Sequence, residues 1–432
     1  MKIYCSGIGG IGLSAYAALQ NALGHEVSGS DSSLSVLTED LISQGISVYD
    51  CQDGSHVPED ADLFVYSEAI PIDAPERKSA ESYGITQESY FEALGNLSKD
   101  FTVIAVCGTH GKSTTTAMAA QVLIDAGLDP TVVVGTKVPQ LDPTTPGLRG
   151  ARGRNWRKGE SDLFLLEACE YRGSFLHLYP DIILMTNVDG DHFDAFDSIE
   201  DYHNAYREFI ARLPEDGIVI THMSDPQCKQ ILITDTRQPT THIDADRNPL
   251  IELSVSGLHM KQNAQLVLSL ADQLEIAAEE SLKSFTGTWR RMEVKGDTDQ
   301  GITVIDDYAH HPVEIAATIS AVREGYPGRR IVCLFQPHTH DRTIRFYNDF
   351  LIAFDGADIV VTTDIYDARP DVEKEIVDIE QFTADIHTET VYGGSLDQAK
   401  EQLCCKILQQ DDVLIVMGAG NVTQIASQLV SG

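Results

Sequence analysis

A chain of 432 residues exceeds the roughly 250 to 300 residues at which a single hydrophobic core stops growing, so two or three domains are expected. Its 31 basic against 66 acidic residues leave a formal charge of -35, which repels a phosphate backbone and argues against nucleic acid as a partner. No run nears the roughly 18 uninterrupted apolar residues of a membrane span, the opening residues lack a secretory pattern, and the eight cysteines lack the paired spacing of a zinc site, so the expectation is a cytoplasmic protein with reduced thiols.

The first block opens on a strand at Ile3-Tyr4-Cys5 and runs into Gly7-Ile8-Gly9-Gly10-Ile11-Gly12, a turn that lets backbone approach a pyrophosphate at a helix entrance. Asp31 follows the second strand at the distance expected of a ribose contact. A polar linker at Asn96 to Asp100 closes the block.

The second block opens on the strand Val103 to Val106 and continues through Cys107 into Gly108, Thr109, His110, Gly111, Lys112, Ser113 and Thr114. Such a loop turns N–H groups toward a triphosphate, Lys112 supplies a point charge, and a hydroxyl from Ser113 or Thr114 reaches Mg2+. Val106 stands where the usual motif has its first glycine. Strands at Leu163 to Leu166 and Ile182 to Met185 end at Glu167 and at Asn187 to His192, and parallel strand ends share one crevice, so Glu167 and His192 are expected on the metal. Asp191 and Asp194 orient His192 or cap the helix that starts near Ser198. A basic cluster of Arg149, Arg152, Arg154, Arg157 and Lys158 lies between, as a phosphate contact or a surface loop. A strand at Ile218 to Thr221 and helices at Asn263 to Leu274 and Ala278 to Ser284 complete the block.

The third block begins after Gly287 with Trp289-Arg290-Arg291, where arginine suits the spread charge of a transferring phosphoryl group. Strands follow at Thr303 to Ile305, Ile331 to Phe335, Ile359 to Thr362 and Val413 to Met417. The first leads to Asp306-Asp307-Tyr308-Ala309-His310-His311-Pro312, read as a shaped loop rather than a metal site, and the second to His338 and Arg342, which suit a small zwitterion. Gly418-Ala419-Gly420-Asn421 is read as sheet-to-helix geometry. The expectation is an α/β protein of three domains: a Rossmann-like domain over 1-99, a central P-loop ATPase-like domain with a mostly parallel sheet over 100-288, and a Rossmann-like C-terminal domain over 289-432.

These motifs, in this order, resemble the Mur ligase family, and within it the alanine-adding branch: the loop Gly108 to Thr116, Glu167 to Leu178, Asn187 to His192, Gly257 to Asn263, Arg290 or Arg291, and Asp306 to Pro312 all find counterparts. The chain differs in having Cys169-Glu170-Tyr171-Arg172 where Asp-Glu-Ser-Asp is common, Met260 for an asparagine, and Thr339 for an arginine. The resemblance implies ATP and Mg2+ as cofactors and UDP-N-acetylmuramate and L-alanine as substrates, joined through an acyl phosphate in peptidoglycan precursor synthesis by a monomer or homodimer whose domains close over the reaction. It assigns the UDP substrate to Gly7, Gly9, Gly10, Gly12, Asp31 and Ser67. ATP falls to Gly108 through Thr114 with His259, Asn263 and Asp307, the metal to Ser113, Thr114, Glu167 and His192, and the amino acid to Tyr308, His310, His338 and Arg342. Lys112, Glu167, His192, Arg290 and Arg291 carry the catalytic expectation. Three other readings stand beside it: a recycling ligase that attaches a preformed tripeptide to the same sugar nucleotide, an NAD-dependent dehydrogenase using Gly7 to Gly12, and a nucleotide-binding regulator.

Overall fold

A computed structural model describes residues 1–142, 153–190, 195–196, 198–234, 241–367 and 376–430. The chain forms two compact units, Met1–Ile251 with Gln262–Phe285, and Glu252–Lys261 with Thr286–Gly432.

The first unit holds two sheets. β1 (Lys2–Ser6), β2 (Glu26–Ser30), β3 (Ser47–Tyr49), β4 (Leu63–Tyr66) and β5 (Thr86–Ser89) are ordered β3-β2-β1-β4-β5 and all parallel. Strand order reverses beside β1, which places the glycine turn after it at the crevice where such sheets bind ligands. The second sheet comprises β6 (Thr102–Cys107), β7 (Thr131–Val138), β8 (Arg154–Arg157), β9 (Leu163–Glu167), β10 (Ile182–Met185), β11 (Ile218–Thr221) and β12 (Thr241–Asp244), ordered β12-β11-β10-β6-β9-β7-β8. Only β8 runs antiparallel among its described pairings. β6, β9 and β10 are apolar runs without polar alternation because both faces of a parallel sheet are covered.

Five helices position the site. α1 (Ile11–Ala22) starts at Gly10, α2 (Val36–Ser43) and α3 (Pro75–Ser82) flank the first sheet, α4 (Tyr90–Ser98) bridges toward the second, and α5 (Lys112–Asp125) starts at Gly111. The expected linker at Asn96 is helical as far as Ser98, because Ser89 and Glu92 form a reciprocal capping box at the start of α4. α4 is pressed against the turn Tyr171–His177: a Cβ on Gly95 would stand 2.1 Å from the His177 carbonyl oxygen. α5 is buried from Ser113 to Leu123, which suits its small side chains, Thr, Ala and Ser, between β7 and β9.

The second unit holds β13 (Glu293–Asp297), β14 (Thr303–Asp307), β15 (Ile331–Phe335), β16 (Ile359–Thr362), β17 (Thr390–Tyr392) and β18 (Val413–Met417), ordered β13-β14-β18-β15-β16-β17. Among the described pairings β13 alone is antiparallel to its neighbour. Apolar clusters cover both faces of this sheet. The helix expected from Asn263 begins at Leu258, five residues earlier. Among the described residues no helix is long and apolar enough to cross a membrane.

Candidate active site

The turn after β1 is built by close approach. The N–H groups of Gly7 and Ile8 both donate to the Ser30 carbonyl, at 2.8 and 2.9 Å, which holds the turn against the end of β2. Gly9 donates its N–H to Asp31 Oδ2 at 2.8 Å, and a Cβ there would fall 2.8 Å from the same oxygen. Gly7 adopts φ +80 and would meet Ser67, while Gly12 lies under the Tyr90 ring, 2.7 Å from where its Cβ would be. Gly7, Gly9, Gly10, Gly12, Asp31 and Ser67 are therefore gathered around this one turn. Beneath it the buried Glu76 carboxylate accepts hydroxyl protons from Tyr4 at 2.7 Å, Ser30 at 2.8 Å and Ser6, tying the ends of β1 and β2 to α3.

The phosphate-type loop after β6 is pinned by the segment after β10. Thr109 donates its N–H to the Asn187 carbonyl at 2.9 Å, His110 donates its N–H to Asn187 Oδ1 at 2.9 Å, and the Asp189 N–H donates to the Thr109 hydroxyl oxygen at 2.9 Å. Thr186 donates its hydroxyl to the His110 carbonyl at 2.6 Å. Gly108 has no room for a side chain, since a Cβ would lie 2.0 Å from the Thr186 hydroxyl oxygen, and Gly111, at φ +80, faces Asn263 Oδ1 at 2.7 Å from its would-be Cβ.

Lys112 folds back over this loop. Its ammonium donates to the carbonyls of Gly108 at 2.5 Å and Thr109 at 3.0 Å and pairs with Glu170, whose side chain has 0% exposure. Burial alone would lower the lysine, but the carboxylate of Glu170, then Cys169 and Glu167, more than offset it and raise its pKa, so Lys112 stays charged. One residue along α5, the Ser113 hydroxyl donates to Glu167 Oε1 at 3.0 Å while the Gly135 N–H donates to Glu167 Oε2 at 2.7 Å. Of the two hydroxyls left open by the sequence, Ser113 is the one seated on the carboxylate; Thr114 is buried beside it. His192, with Asp191, Asp194, Arg149 and Arg152, lies outside the described residues.

In the second unit, the residues that follow β14 and β15 converge. Arg290, at φ 54, turns inward: its guanidinium donates to the carbonyls of Gly418 and Gly420 and lies 3.5 Å from the buried Asp306. Arg291 is the more exposed, with its guanidinium over the Tyr308 ring at 5.0 Å and 3.8 Å from Glu314. Asp307 accepts from the N–H groups of Met292 and Ala309 at 2.7 and 2.8 Å; burial pushes its carboxyl up to about 6 against the opposing pull of Arg291. His310 is pushed down to about 3 by burial, against the raising effect of Glu314, and its Nδ1 lies 2.9 Å from the Tyr308 carbonyl. Its ring stands 5.7 Å from that of His338, whose Nδ1 is 3.2 Å from Arg342. His259, half-buried, is lowered by burial and sits within the field of Glu314 and Arg291.

Three residues of these clusters were given no role by the sequence. Glu170 is the partner of Lys112, Asn187 holds the phosphate-type loop, and Glu314 stands between Arg291 and His310. Glu314 had a signal, its spacing of four from His310 at the start of the helix Pro312–Gly325.

Three family models match in succession: "Mur ligase family, catalytic domain" over residues 2–102, "Mur ligase middle domain" over 106–277 and "Mur ligase, glutamate ligase domain" over 290–420. Among curated proteins, a UDP-N-acetylmuramate--L-alanine ligase of Clostridium kluyveri is 36% identical, the match covering 98% of this chain and 96% of the relative. Among solved structures, the UDP-N-acetylmuramate-alanine ligase of Thermotoga maritima aligns with a TM-score of 0.80 and 27% identity over 100% of this chain and 98% of that one. A murein peptide ligase of Psychrobacter arcticus shares the fold, with a TM-score of 0.75 and 23% identity over 100% and 98%.

Proposed function

From the premise that this chain belongs to the Mur ligase family, we propose that it is an ATP-dependent ligase that joins L-alanine to UDP-N-acetylmuramate. The observation that carries the reading is the seating of Lys112 and of the Ser113–Glu167 pair on one phosphate-type loop, in the same compact unit as the glycine turn Gly7 to Gly12. A nucleotide-linked acid substrate and a nucleoside triphosphate need two such loops, whereas a dehydrogenase needs one. The dehydrogenase alternative therefore falls. The product belongs to peptidoglycan precursor synthesis, and both ATP and a UDP-sugar are cytoplasmic metabolites, which supports a cytoplasmic site of action.

The donor set fits Mg2+. A carboxylate and a hydroxyl within 3.0 Å of each other offer hard oxygen ligands, and Mg2+ completes its shell with phosphate oxygens and water. When bound, the cation neutralises charge on the transferring phosphoryl group. Ser113 and Glu167 would hold it, and His192 remains proposed with them.

The N–H groups of Gly111 and Lys112, at the N-terminus of α5, cradle the phosphates while Asn187 holds those of Thr109 and His110, and the Lys112 ammonium supplies the counter-charge. A carboxylate oxygen of UDP-N-acetylmuramate attacks the γ phosphorus, ADP leaves, and an acyl phosphate forms. The alanine amine attacks the acyl carbon and loses a proton as the amide forms, while inorganic phosphate departs. Arg342, with His338, His310 and Tyr308, orients alanine through its carboxylate, and Arg291, whose guanidinium is the more exposed of the arginine pair, serves the phosphates. Arg290 shapes the second unit from within. His259 and Asn263, one turn apart on the helix Leu258–Gln273, are proposed on the nucleotide side, with Asp307 supporting the loop that bears Tyr308.

Phosphate release measured with UDP-N-acetylmuramate, ATP and each amino acid in turn tests the reading, with the tripeptide of the recycling reaction as a further arm. L-Alanine should give the highest kcat/KM. Release with the tripeptide and none with alanine would replace the reading by the recycling ligase.

A further inference from the structure

A ligand that begins on the turn Gly7 to Gly12 and ends at Glu167 has to pass from the first sheet to the second, and α4 lies along that path. Its first residue, Tyr90, covers Gly12: a Cβ on that glycine would come within 2.7 Å of the ring and 3.0 Å of the phenol oxygen. The other end of α4 is set by the close fit of Gly95 on the His177 carbonyl, which places the helix beside the segment that follows Glu167 and Glu170. The charge of Glu167 acts on the Tyr90 phenol, so its hydroxyl lies within electrostatic reach of the carboxylate that Ser113 and Gly135 hold.

The ring itself is fixed. Tyr16 meets it edge-on with centroids 6.5 Å apart, and Phe91 packs at 4.6 Å. Among the described residues the hydroxyl has no hydrogen-bond partner, although the residue is half-buried and a buried phenol ordinarily finds one. Burial, followed by the charge of Glu167, raises its pKa, so it is a donor throughout the neutral range.

We propose that Tyr90 is a substrate-contacting residue whose phenol O–H donates a hydrogen bond to the lactyl carboxylate end of the sugar nucleotide, between the glycine turn and Glu167. The proposal rests on the ligase reading above. It gives the reacting acid a neutral donor that fixes one oxygen while the other stays free to attack phosphorus, and it demands no second cation in that position. Gly12 is then required not for helix geometry but for the space the phenol occupies.

Titration calorimetry with UDP and with UDP-N-acetylmuramate, on the parent and on Tyr90→Phe, tests it. The phenylalanine ring keeps the packing on Gly12, Tyr16 and Phe91, so UDP should bind both proteins alike, while UDP-N-acetylmuramate should bind the variant about tenfold more weakly, the size of one hydrogen bond to a charged group. Steady-state assays should show kcat/KM for the sugar nucleotide reduced and KM for ATP unchanged. Equal affinity of parent and variant for UDP-N-acetylmuramate would overturn the proposal and leave the ligase reading standing. Equal weakening toward UDP would reduce Tyr90 to a support for the turn and overturn it too. A parent that binds neither ligand would bring down the ligase reading and this proposal together.

Discussion

The ammonium nitrogen of Lys112 stands 3.0 Å from Oε2 of Glu170, a carboxylate with no exposure to solvent, and the two residues are 58 positions apart in the chain. Removing the charge of one member of a buried pair leaves the other uncompensated, at roughly 3 to 5 kcal/mol. Glu170→Gln keeps the volume and one acceptor oxygen, so a loss near ~3 kcal/mol is expected in urea denaturation, together with a raised KM for ATP. Glu170→Asp should recover part of both. A variant of parental stability and parental KM for ATP would show that the pair neither holds the fold nor sets Lys112.

Gly135→Ala tests the metal assignment without touching a ligand. The added methyl would stand 2.8 Å from both oxygens of Glu167 and would push the carboxylate off the Ser113 hydroxyl and the Gly135 N–H. Displacing a group that orients a metal ligand costs about 10 to 100-fold in metal affinity. A Mg2+ titration of activity should therefore shift to higher concentration by about that factor. An unshifted titration would mean that Glu167 does not serve the cation.

Asp307 should print its burial on the pH dependence of stability. Its folded-state pKa is pushed up to about 6, primarily by burial, from the 3.8 of an unperturbed aspartate. A raised folded pKa means the folded protein holds the proton more tightly than the unfolded chain, so this contribution is fully present below pH 3.8 and is lost as pH rises to about 6. One pKa unit corresponds to about 1.4 kcal/mol, so the loss reaches about 3 kcal/mol. Other carboxylates, Asp246 among them, are held low and act in the opposite direction, so the measurement is a difference. Stability of the parent minus that of Asp307→Asn, followed from pH 3.5 to 7 (about the window of the shift), should fall with rising pH. A flat difference would contradict the buried, raised carboxyl.

Arg342 is expected to bind the carboxylate of alanine. Thr339, at φ 64, caps the short helix His340–Arg345 by accepting the Arg342 N–H at 3.4 Å, and His338 Nδ1 flanks the guanidinium at 3.2 Å. Truncating a charged hydrogen-bonding group costs about 1.5 to 3 kcal/mol, or roughly 10 to 150-fold. Arg342→Ala should raise KM for alanine by such a factor and leave KM for ATP near the parental value. If both constants rise together, the residue serves the domain and not the amino acid.

Much of this arrangement was legible in the sequence because it is carried by short-range patterns. β6, β9 and β10 are apolar runs that suit a doubly covered parallel strand, and Gly108, Gly111, Lys112 and Ser113 between a strand and a helix start announce the loop although Val106 replaces the first glycine of the usual spacing. What depended on tertiary approach was hidden. Lys112 and Glu170 meet only after β6 and β9 pair, and the inward turn of Arg290 depends on a left-handed backbone that places its guanidinium on the carbonyls of Gly418 and Gly420. Composition also misled locally: polar Asn96 to Asp100 suggested a linker, while the capping box of Ser89 and Glu92 extends α4 to Ser98. The helix that bears Asn263 starts a full turn earlier than its apolar pattern suggests, and the approach of Asn263 to Gly111 depends on tertiary packing that spacing does not show.

The central claim is that a substrate carboxylate takes a phosphoryl group from ATP before it meets the amine. UDP-N-acetylmuramate labelled with 18O in its lactyl carboxylate, incubated with the protein, ATP, Mg2+ and L-alanine, decides the matter through mass analysis of the inorganic phosphate released. Passage through an acyl phosphate transfers one labelled oxygen to each phosphate. Amide formation accompanied by unlabelled phosphate would contradict the account at its root.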